Sequence, residues 1–171
     1  MKNHKLHRIT STAIIVKGGL SVTSGQDRYL ITQRSWQKKA FPGKWTVPGG
    51  GLELEDYINT KKTTRDHWYF AIENSLRREI REEVNLAVGK LNYLLDIAFV
   101  RPDGVPCIIL SFFAAYKSGK VKLDEDSIDF QWVSLKELKK YDLVEGLLEE
   151  IEMVDKILKK GNDNRIKYRK K

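Results

Sequence analysis

The sequence has few of the residues that build thiol-based or histidine-based sites. It contains one cysteine, Cys107, so this chain alone can form neither an intrachain disulfide nor a thiolate metal cluster. Cys107 lies in the apolar segment 105–110, where a buried structural role is favoured over a nucleophilic one. The three histidines show no metal-ligand spacing. We therefore expect a reducing, cytoplasmic setting.

Long hydrophobic runs are also missing. The longest nearly continuous apolar run, 105–116, has 12 residues and includes a proline and a serine, whereas a bilayer span needs roughly 20. The apolar stretch that follows the N-terminal basic residues, 13–16, is too short for a signal peptide. We expect no membrane span and no export. With 41% hydrophobic residues among 171, the chain can bury the core of one globular domain.

Positive charge is concentrated at the C-terminal end. Residues 159–171 include seven basic side chains and one acid, a net +6 out of +8 for the whole chain. Such a segment is typical of a solvated end, and its alternative role is an electrostatic contact with RNA or DNA. The expected organisation is one domain over 1–158, followed by a flexible basic tail over 159–171. A homodimer is compatible with this organisation.

Residue patterns predict a mixed sheet with helices on either side. Segments rich in β-branched and aromatic residues predict strands at 9–17, 28–34, 91–100, 105–117 and 130–133. The sequence Arg-Pro-Asp-Gly at 101–104 suits a hairpin turn. Ser134 and Glu137 form a candidate capping box for a short helix ending at Lys140. A later amphipathic helix runs from Val144 to Leu158.

The most informative helix is predicted over about 66–84. Trp68, Ile72, Leu76, Ile80 and Val84 recur every four positions and form a stripe that faces a core. This stripe assigns Trp68 to the core.

Three glutamates lie beside that stripe. Glu79, Glu82 and Glu83 have i, i+3 and i+4 spacing, which brings their carboxylates to one side of the helix. A divalent cation would relieve their repulsion, because hard cations such as Mg²⁺ take carboxylate oxygens together with substrate phosphate oxygens. An ordinary solvated charged face is the alternative.

A glycine-rich segment precedes the helix and completes a motif. Residues 41–53 read FPGKWTVPGGGLE, in which three consecutive glycines let the backbone approach a ligand. Together with REIREE at 78–83, this segment resembles the signature of the Nudix hydrolase family, G-x5-E-x7-R-E-U-x-E-E-x-G-U with U aliphatic. Arg28–Arg34 and residues 131–138 also resemble family elements. The resemblance covers about 8–142.

Two positions and one spacing depart from that signature. Asp56 stands in place of the first acid and Asn85 in place of the last glycine. Asn is the next best residue for the left-handed conformation that ends a helix. The spacer is 14 residues too long, which places an insertion at about 57–70. This insertion is either a lid over the substrate or an inert loop, with Thr63 or Asp66 starting the helix early.

The resemblance implies an α/β fold, an α/β/α sandwich with a mixed sheet. It also implies an enzyme that uses Mg²⁺ or Mn²⁺ to hydrolyse a nucleoside triphosphate or a nucleoside diphosphate linked to another group. By position, Glu82 and Glu83 would be metal ligands, and Glu79 a ligand or the general base. The Gly49 carbonyl would be a further ligand, and Arg78 would hold a carboxylate in place. A later acid often joins the metal ions, and Glu125 and Asp126 both lie in the matching region. The residues implied in substrate binding are Arg34, Phe41, Trp45, Gly50 and Asp126.

Aromatic side chains that could stack on a base are Trp36, Phe41, Tyr57, Trp68 and Tyr69. Two other classes of function compete with hydrolysis. An isopentenyl diphosphate isomerase shares the fold but needs a reactive cysteine, for which Cys107 is a poor candidate. A catalytically weak module that binds nucleic acid through its tail would be expected to lose the acids of the motif, which this chain keeps.

Overall fold

In a computed structural model of the protein, residues 6–18, 27–101 and 103–160 are described. The described part forms a mixed sheet with helices on both faces, as the sequence predicts. Its strands are β1 Arg8–Lys17, β2 Arg28–Arg34, β3 Trp45–Thr46, β4 Gly49–Gly51, β5 Ala87–Val88, β6 Asn92–Val100, β7 Pro106–Ser118 and β8 Ser127–Val133. Its helices are α1 Glu55–Ile58, α2 Ala71–Val84 and α3 Leu147–Lys160, with a 3-10 turn over Glu137–Lys140.

Strand β1 is central to the sheet. It pairs in parallel with β7 and antiparallel with β2 and with the glycine strand β4. The sheet then continues outward through antiparallel pairs, β2 with β8 and β7 with β6. The β6–β7 pair confirms the predicted hairpin. Because β4 lies directly beside β1, the glycine segment is fixed at the middle of the sheet.

The two faces of the sheet carry separate apolar cores. Ala13 and Ile15 of β1 are buried with Leu76 and Ile80 of α2. Their neighbours in β1 point to the opposite face, where α3 supplies Ile151, Val154 and Leu158. Each fully buried branched side chain contributes about 1.5–3 kcal/mol. These two cores hold α2 and α3 in place on either side of β1.

Helix α2 begins later than the sequence predicts. Its first residue is Ala71, after Phe70 in a left-handed conformation (φ 61°), so neither Thr63 nor Asp66 starts it. Trp68 is therefore not a core residue of the helix, and that prediction is wrong. Its ring packs on Tyr57, with ring centroids 5.5 Å apart, because the chain folds back on itself before the helix starts.

The end of α2 confirms the prediction for Asn85. This residue is left-handed (φ 55°), and its N–H donates to the Arg81 carbonyl at 3.0 Å.

The predicted capping pair is also present, because Ser134 donates to Glu137 Oε2 from both its backbone N–H and its hydroxyl.

Helix α3 extends beyond the predicted domain boundary. It includes Lys159 and Lys160, and Lys159 pairs with Asp155 at 2.7 Å. The predicted tail, 159–171, therefore overlaps the last turn of this helix, and its remainder, 161–171, lies outside the described residues. Among the described helices, none is long and apolar enough to span a membrane.

Candidate active site

The glycine strand β4 runs directly against the carboxylates of α2. Gly49 N–H donates to Glu83 Oε2 at 2.8 Å. A Cβ at Gly50 would lie 2.3 Å from Cδ of Glu79, and one at Gly49 would lie 2.1 Å from the Ser11 carbonyl oxygen. Gly49 also has a φ of 152°, which L side chains rarely adopt. Side chains are therefore excluded from both positions by the closeness of the acids and of β1.

Arg78 connects the carboxylates to one another. Its Nε donates to Asp56 Oδ1 at 2.5 Å and its second terminal nitrogen to Asp56 Oδ2 at 3.1 Å, a bidentate pair. The same guanidinium lies 2.8 Å from Glu82 and 3.0 Å from Glu79. Its hydrogen bonds lower the pKa of Asp56 to about 2. Asp56 is one methylene shorter than the glutamate of the signature, yet Arg78 reaches it.

Glu83 is an acid of this group whose charged form is strongly disfavoured by its surroundings. Burial raises its pKa to about 8, and the charges of Glu79 and Asp124 act in the same direction. Burial also raises the pKa of Glu79, against the influence of Arg78. Removing acids from water without enough positive charge is costly. A bound cation would supply the missing charge.

The donor set fits a hard divalent cation, although its side chains are not arranged as a finished metal site. In the described ranges no three acidic, histidine or cysteine side chains form a complete metal-binding group. Glu79 and Glu82 are turned to Arg78, and Glu83 to the Gly49 N–H. Short side-chain rotations would free these oxygens, which are the ligands that Mg²⁺ prefers.

Asp124 is an acid of this site that the sequence reasoning missed. Its backbone N–H donates to the Glu83 carbonyl at 3.3 Å, and its charge raises the pKa of Glu83. Glu125, which the resemblance offered, is exposed. Asp126 pairs with Lys38, and its charge raises the pKa of Asp124. The signal was present in the run of acids at 124–126, but only the fold decides which one faces α2.

Two basic side chains, Arg34 and Lys38, lie near the acids of this region. Arg34 is half-buried, and its Nε donates to the Ala40 carbonyl at 2.9 Å. Burial lowers its pKa, while Glu83 and Asp126 partly compensate. Asp126 is held by Lys38 and by the Ser35 N–H, which donates to its carbonyl at 2.9 Å. Arg34 thus lies close enough to Glu83 for their charges to interact, and Asp126 to Asp124, while the role of Arg34 and Asp126 in substrate binding stays a prediction.

The two aromatic residues predicted to bind substrate differ in their positions. Phe41 is 40% exposed, with a left-handed backbone (φ 53°), and its ring lies 6.3 Å from that of Phe99. Trp45 is buried in the core that faces α3, where it packs edge-on against Tyr141 at 4.8 Å. Phe41 is thus exposed enough for stacking. Trp45 has a packing role, and this position does not support the prediction that Trp45 contacts substrate.

Cys107 is buried with its thiol directed to the Val105 carbonyl. This position agrees with the structural role expected for it. It also removes the one residue that an isomerase of this fold could use as a reactive thiol.

Comparison with known proteins decides the family. The NUDIX domain family model matches residues 16–152. The chain belongs to the Nudix family. It is accordingly a Nudix-type pyrophosphohydrolase, a hydrolase of phosphoanhydride bonds.

Curated relatives and solved structures support that assignment. The nucleoside triphosphatase NudI of Klebsiella pneumoniae is 30% identical over 129 residues, 69% of this chain and 81% of the relative. NudI of Escherichia coli K12 is 30% identical over 125 residues, 67% of this chain and 79% of the relative. These relatives match most of the Nudix domain of this chain.

Two solved structures share the Nudix fold. The MutT protein of Methanosarcina mazei superposes with a TM-score of 0.65 at 22% identity, covering 90% of this chain and 96% of that one. The NUDIX domain of Shewanella oneidensis NrtR, solved with ADP ribose, gives 0.69 at 19% identity and covers 92% of both chains. The predicted α/β/α sandwich is thereby confirmed.

Proposed function

We propose that this Nudix enzyme hydrolyses a nucleoside triphosphate to a nucleoside monophosphate and pyrophosphate, with Mg²⁺ or Mn²⁺ as cofactor. The observation that carries the proposal is the group of acids on α2 packed against β4, where the Gly49 N–H donates to Glu83 and the carboxylate of Glu79 lies directly over Gly50. The NudI relatives, which are nucleoside triphosphatases, favour a triphosphate over other diphosphate-linked substrates.

Glu82 and Glu83 are the proposed metal ligands, with Glu79 as a further ligand or the general base and the Gly49 carbonyl as an additional ligand. A divalent cation held by these residues would neutralise phosphate oxygens and favour loss of a proton from the attacking water. The oxygen of the attacking water forms a bond to phosphorus, and the bridging P–O bond breaks with its electron pair going to pyrophosphate. A carboxylate accepts the proton of the water.

Two basic groups have different roles in this proposal. Arg78 is a positioning residue, because it contacts Asp56, Glu79 and Glu82. Arg34, whose charge interacts with that of Glu83, is the proposed contact for phosphate oxygens, which match a planar guanidinium. Gly50 keeps the backbone flush with the acids so that a phosphate can approach.

The test is a substrate panel of nucleoside triphosphates, deoxynucleoside triphosphates, ADP-ribose and dinucleoside polyphosphates, assayed with Mg²⁺ or Mn²⁺. We expect pyrophosphate release from at least one triphosphate, and loss of about 10²-fold or more in kcat for Glu82→Gln or Glu83→Gln. Glu149→Gln, an exposed glutamate of α3, is the control and should match the unmodified enzyme. Normal rates for both α2 variants at saturating Mg²⁺ would refute the metal assignment.

A further inference from the structure

A cavity lies beyond the end of α2, on the face of the sheet that this helix covers. Its volume is about 360 Å³, which suits one small molecule. Leu86, two residues after the last residue of α2, and Phe130 of β8 supply apolar side chains to it. Residues 119–121, which follow β7, line it from another side. The cavity is therefore enclosed by segments that are distant from one another in sequence.

The cavity is separate from the catalytic acids. Lys17, which lines it, is the last residue of β1 and lies five residues beyond Thr12, the partner of Gly49. A strand rises about 3.3 Å per residue, so these two positions are about 16 Å apart along β1. The acids of α2 are not among the described residues that line the cavity. A ligand bound here would have no contact with the proposed metal ligands.

The charge of the cavity is positive. Its described lining includes two ionised side chains, Lys17 and Lys120, and no acid. Both lysines are exposed, and neither forms an ion pair with an acid in the part of the chain that the structure describes. The Lys17 ammonium lies instead 5.4 Å from the ring centroids of both Tyr116 and Trp132. A bound anion would therefore meet two positive charges that no neighbouring carboxylate neutralises.

The two rings beside Lys17 give the cavity an aromatic side. Tyr116 and Trp132 are half-buried and pack edge-on, with ring centroids 5.8 Å apart. The Tyr116 hydroxyl donates to the Gly119 carbonyl at 2.8 Å, and Trp132 pairs in the sheet with the fully buried Leu30. Both rings are thus ordered before any ligand binds, which lowers the entropic cost of stacking a planar group on them.

We propose that this cavity is a second ligand site, which binds a small anion that carries a planar ring. A nucleoside monophosphate belongs to this class, and so does a planar carboxylate. The ring lies against Tyr116 and Trp132, and the anionic group is bound by Lys17 and Lys120. The assignment is independent of the proposed hydrolysis, because the catalytic acids take no part in it.

The test measures AMP binding in EDTA. Without a divalent cation the acids of α2 repel a phosphate group, so binding at the catalytic group is suppressed. AMP should then shift the indole N–H resonance of Trp132 in a saturable way and leave the resonances of the other three tryptophans in place. Loss of one resonance in Trp132→Phe identifies the signal of Trp132. If AMP causes no saturable shift of this signal, the proposal is wrong.

Three lysine variants test the role of charge. Lys17→Gln and Lys120→Gln should each weaken AMP binding about tenfold, because each removes one charge-assisted contact. Lys117→Gln is the matched control, since this exposed lysine of β7 is next to Tyr116 in sequence and does not line the cavity. It should bind AMP normally. Thermal unfolding establishes that each variant is folded, and unchanged AMP affinity in folded Lys17→Gln and Lys120→Gln enzymes would overturn the assignment.

Partial ligands test the chemical class. Adenosine lacks the charge and inorganic phosphate lacks the ring, so each should bind at least about tenfold more weakly than AMP. Equal affinity for AMP and either partial ligand would contradict recognition of a planar anion. Nicotinate, a planar carboxylate without ribose, distinguishes the two sources of this chemistry. A comparable shift of the Trp132 signal by nicotinate supports a site for planar anions in general, whereas a shift by AMP alone supports a site for nucleotides.

Discussion

A methyl group added at Gly50 should slow the enzyme strongly without unfolding it. In Gly50→Ala the new Cβ would lie 2.3 Å from Cδ of Glu79 and 2.4 Å from each of its carboxylate oxygens. Ordinary carbon contacts need about 3.5 Å or more, so the carboxylate must move by about 1 Å. Because Cδ is at the far end of a flexible side chain, this movement costs little folding free energy.

The catalytic cost of the same movement is large. Glu79 is 3.0 Å from Arg78 and is a proposed ligand or base. Misplacing a reacting group by about 1 Å can cost about 10²-fold in rate. We therefore expect kcat of Gly50→Ala to fall about 10- to 100-fold on the best triphosphate.

Two other glycines complete this experiment. Gly49→Ala would place Cβ 2.1 Å from a backbone oxygen of Ser11, at a φ of 152°, so it should impair folding as well as activity. At Gly89 the nearest atom to a new Cβ is Cε of Lys117 at 3.1 Å, remote from the acids, so Gly89→Ala should keep normal kcat. The assays are steady-state kinetics with Mg²⁺ and thermal unfolding. A Gly50→Ala enzyme with normal kcat, beside an inactive Glu79→Gln enzyme, would refute the reasoning.

Three further predictions concern the ion pair between Arg78 and Asp56, the insertion and the tail. Arg78 lowers the pKa of Asp56 to about 2. The ionised carboxyl therefore stabilises the folded state fully above about pH 4, and this stabilisation is lost as the pH falls through 2. Asp56→Asn should lower the free energy of unfolding by about 1–2 kcal/mol at pH 7 and by much less near pH 2, as measured by urea unfolding at each pH. Trp68→Ala removes the packing on Tyr57 and should speed proteolysis within the insertion with little change in Tm, whereas an unchanged cleavage rate would show that the ring does not order this loop. Deleting 161–171 should leave triphosphate hydrolysis unchanged and remove any salt-dependent affinity for RNA or DNA, and binding that survives the deletion would assign that affinity elsewhere.

Local signals predicted the parts of the fold that depend on neighbouring residues. The i, i+3 and i+4 spacing of the glutamates, and Asn85 as a helix end, follow from helix geometry alone. The hairpin before β7 follows from its turn residues. Where local chemistry and tertiary packing agree, as at Val84, a single sequence is sufficient.

Other features depend on contacts between distant segments and could not be read in this way. Trp68 continues the four-residue period of α2 but packs instead on Tyr57, because Phe70 turns the chain before the helix begins. Trp45 sits inside the motif, yet its ring lies in the core against Tyr141. Asp124 could be distinguished from its acidic neighbours only after the segment was placed beside Glu83.

The ion pair between Arg78 and Asp56 also decides how much the length of the segment between them can vary. These two residues are 22 positions apart in sequence, yet they are joined by a bidentate ion pair that fixes both ends of the intervening segment. The inserted segment makes its own internal contacts, from Thr60 to Trp68 and from Thr63 to Tyr69. Sequence added between the two ends therefore need not disturb the acids on α2, since an open surface loop tolerates insertion at low entropic cost. This loop is a natural place to graft a reporter peptide or a ligand-responsive domain onto the enzyme.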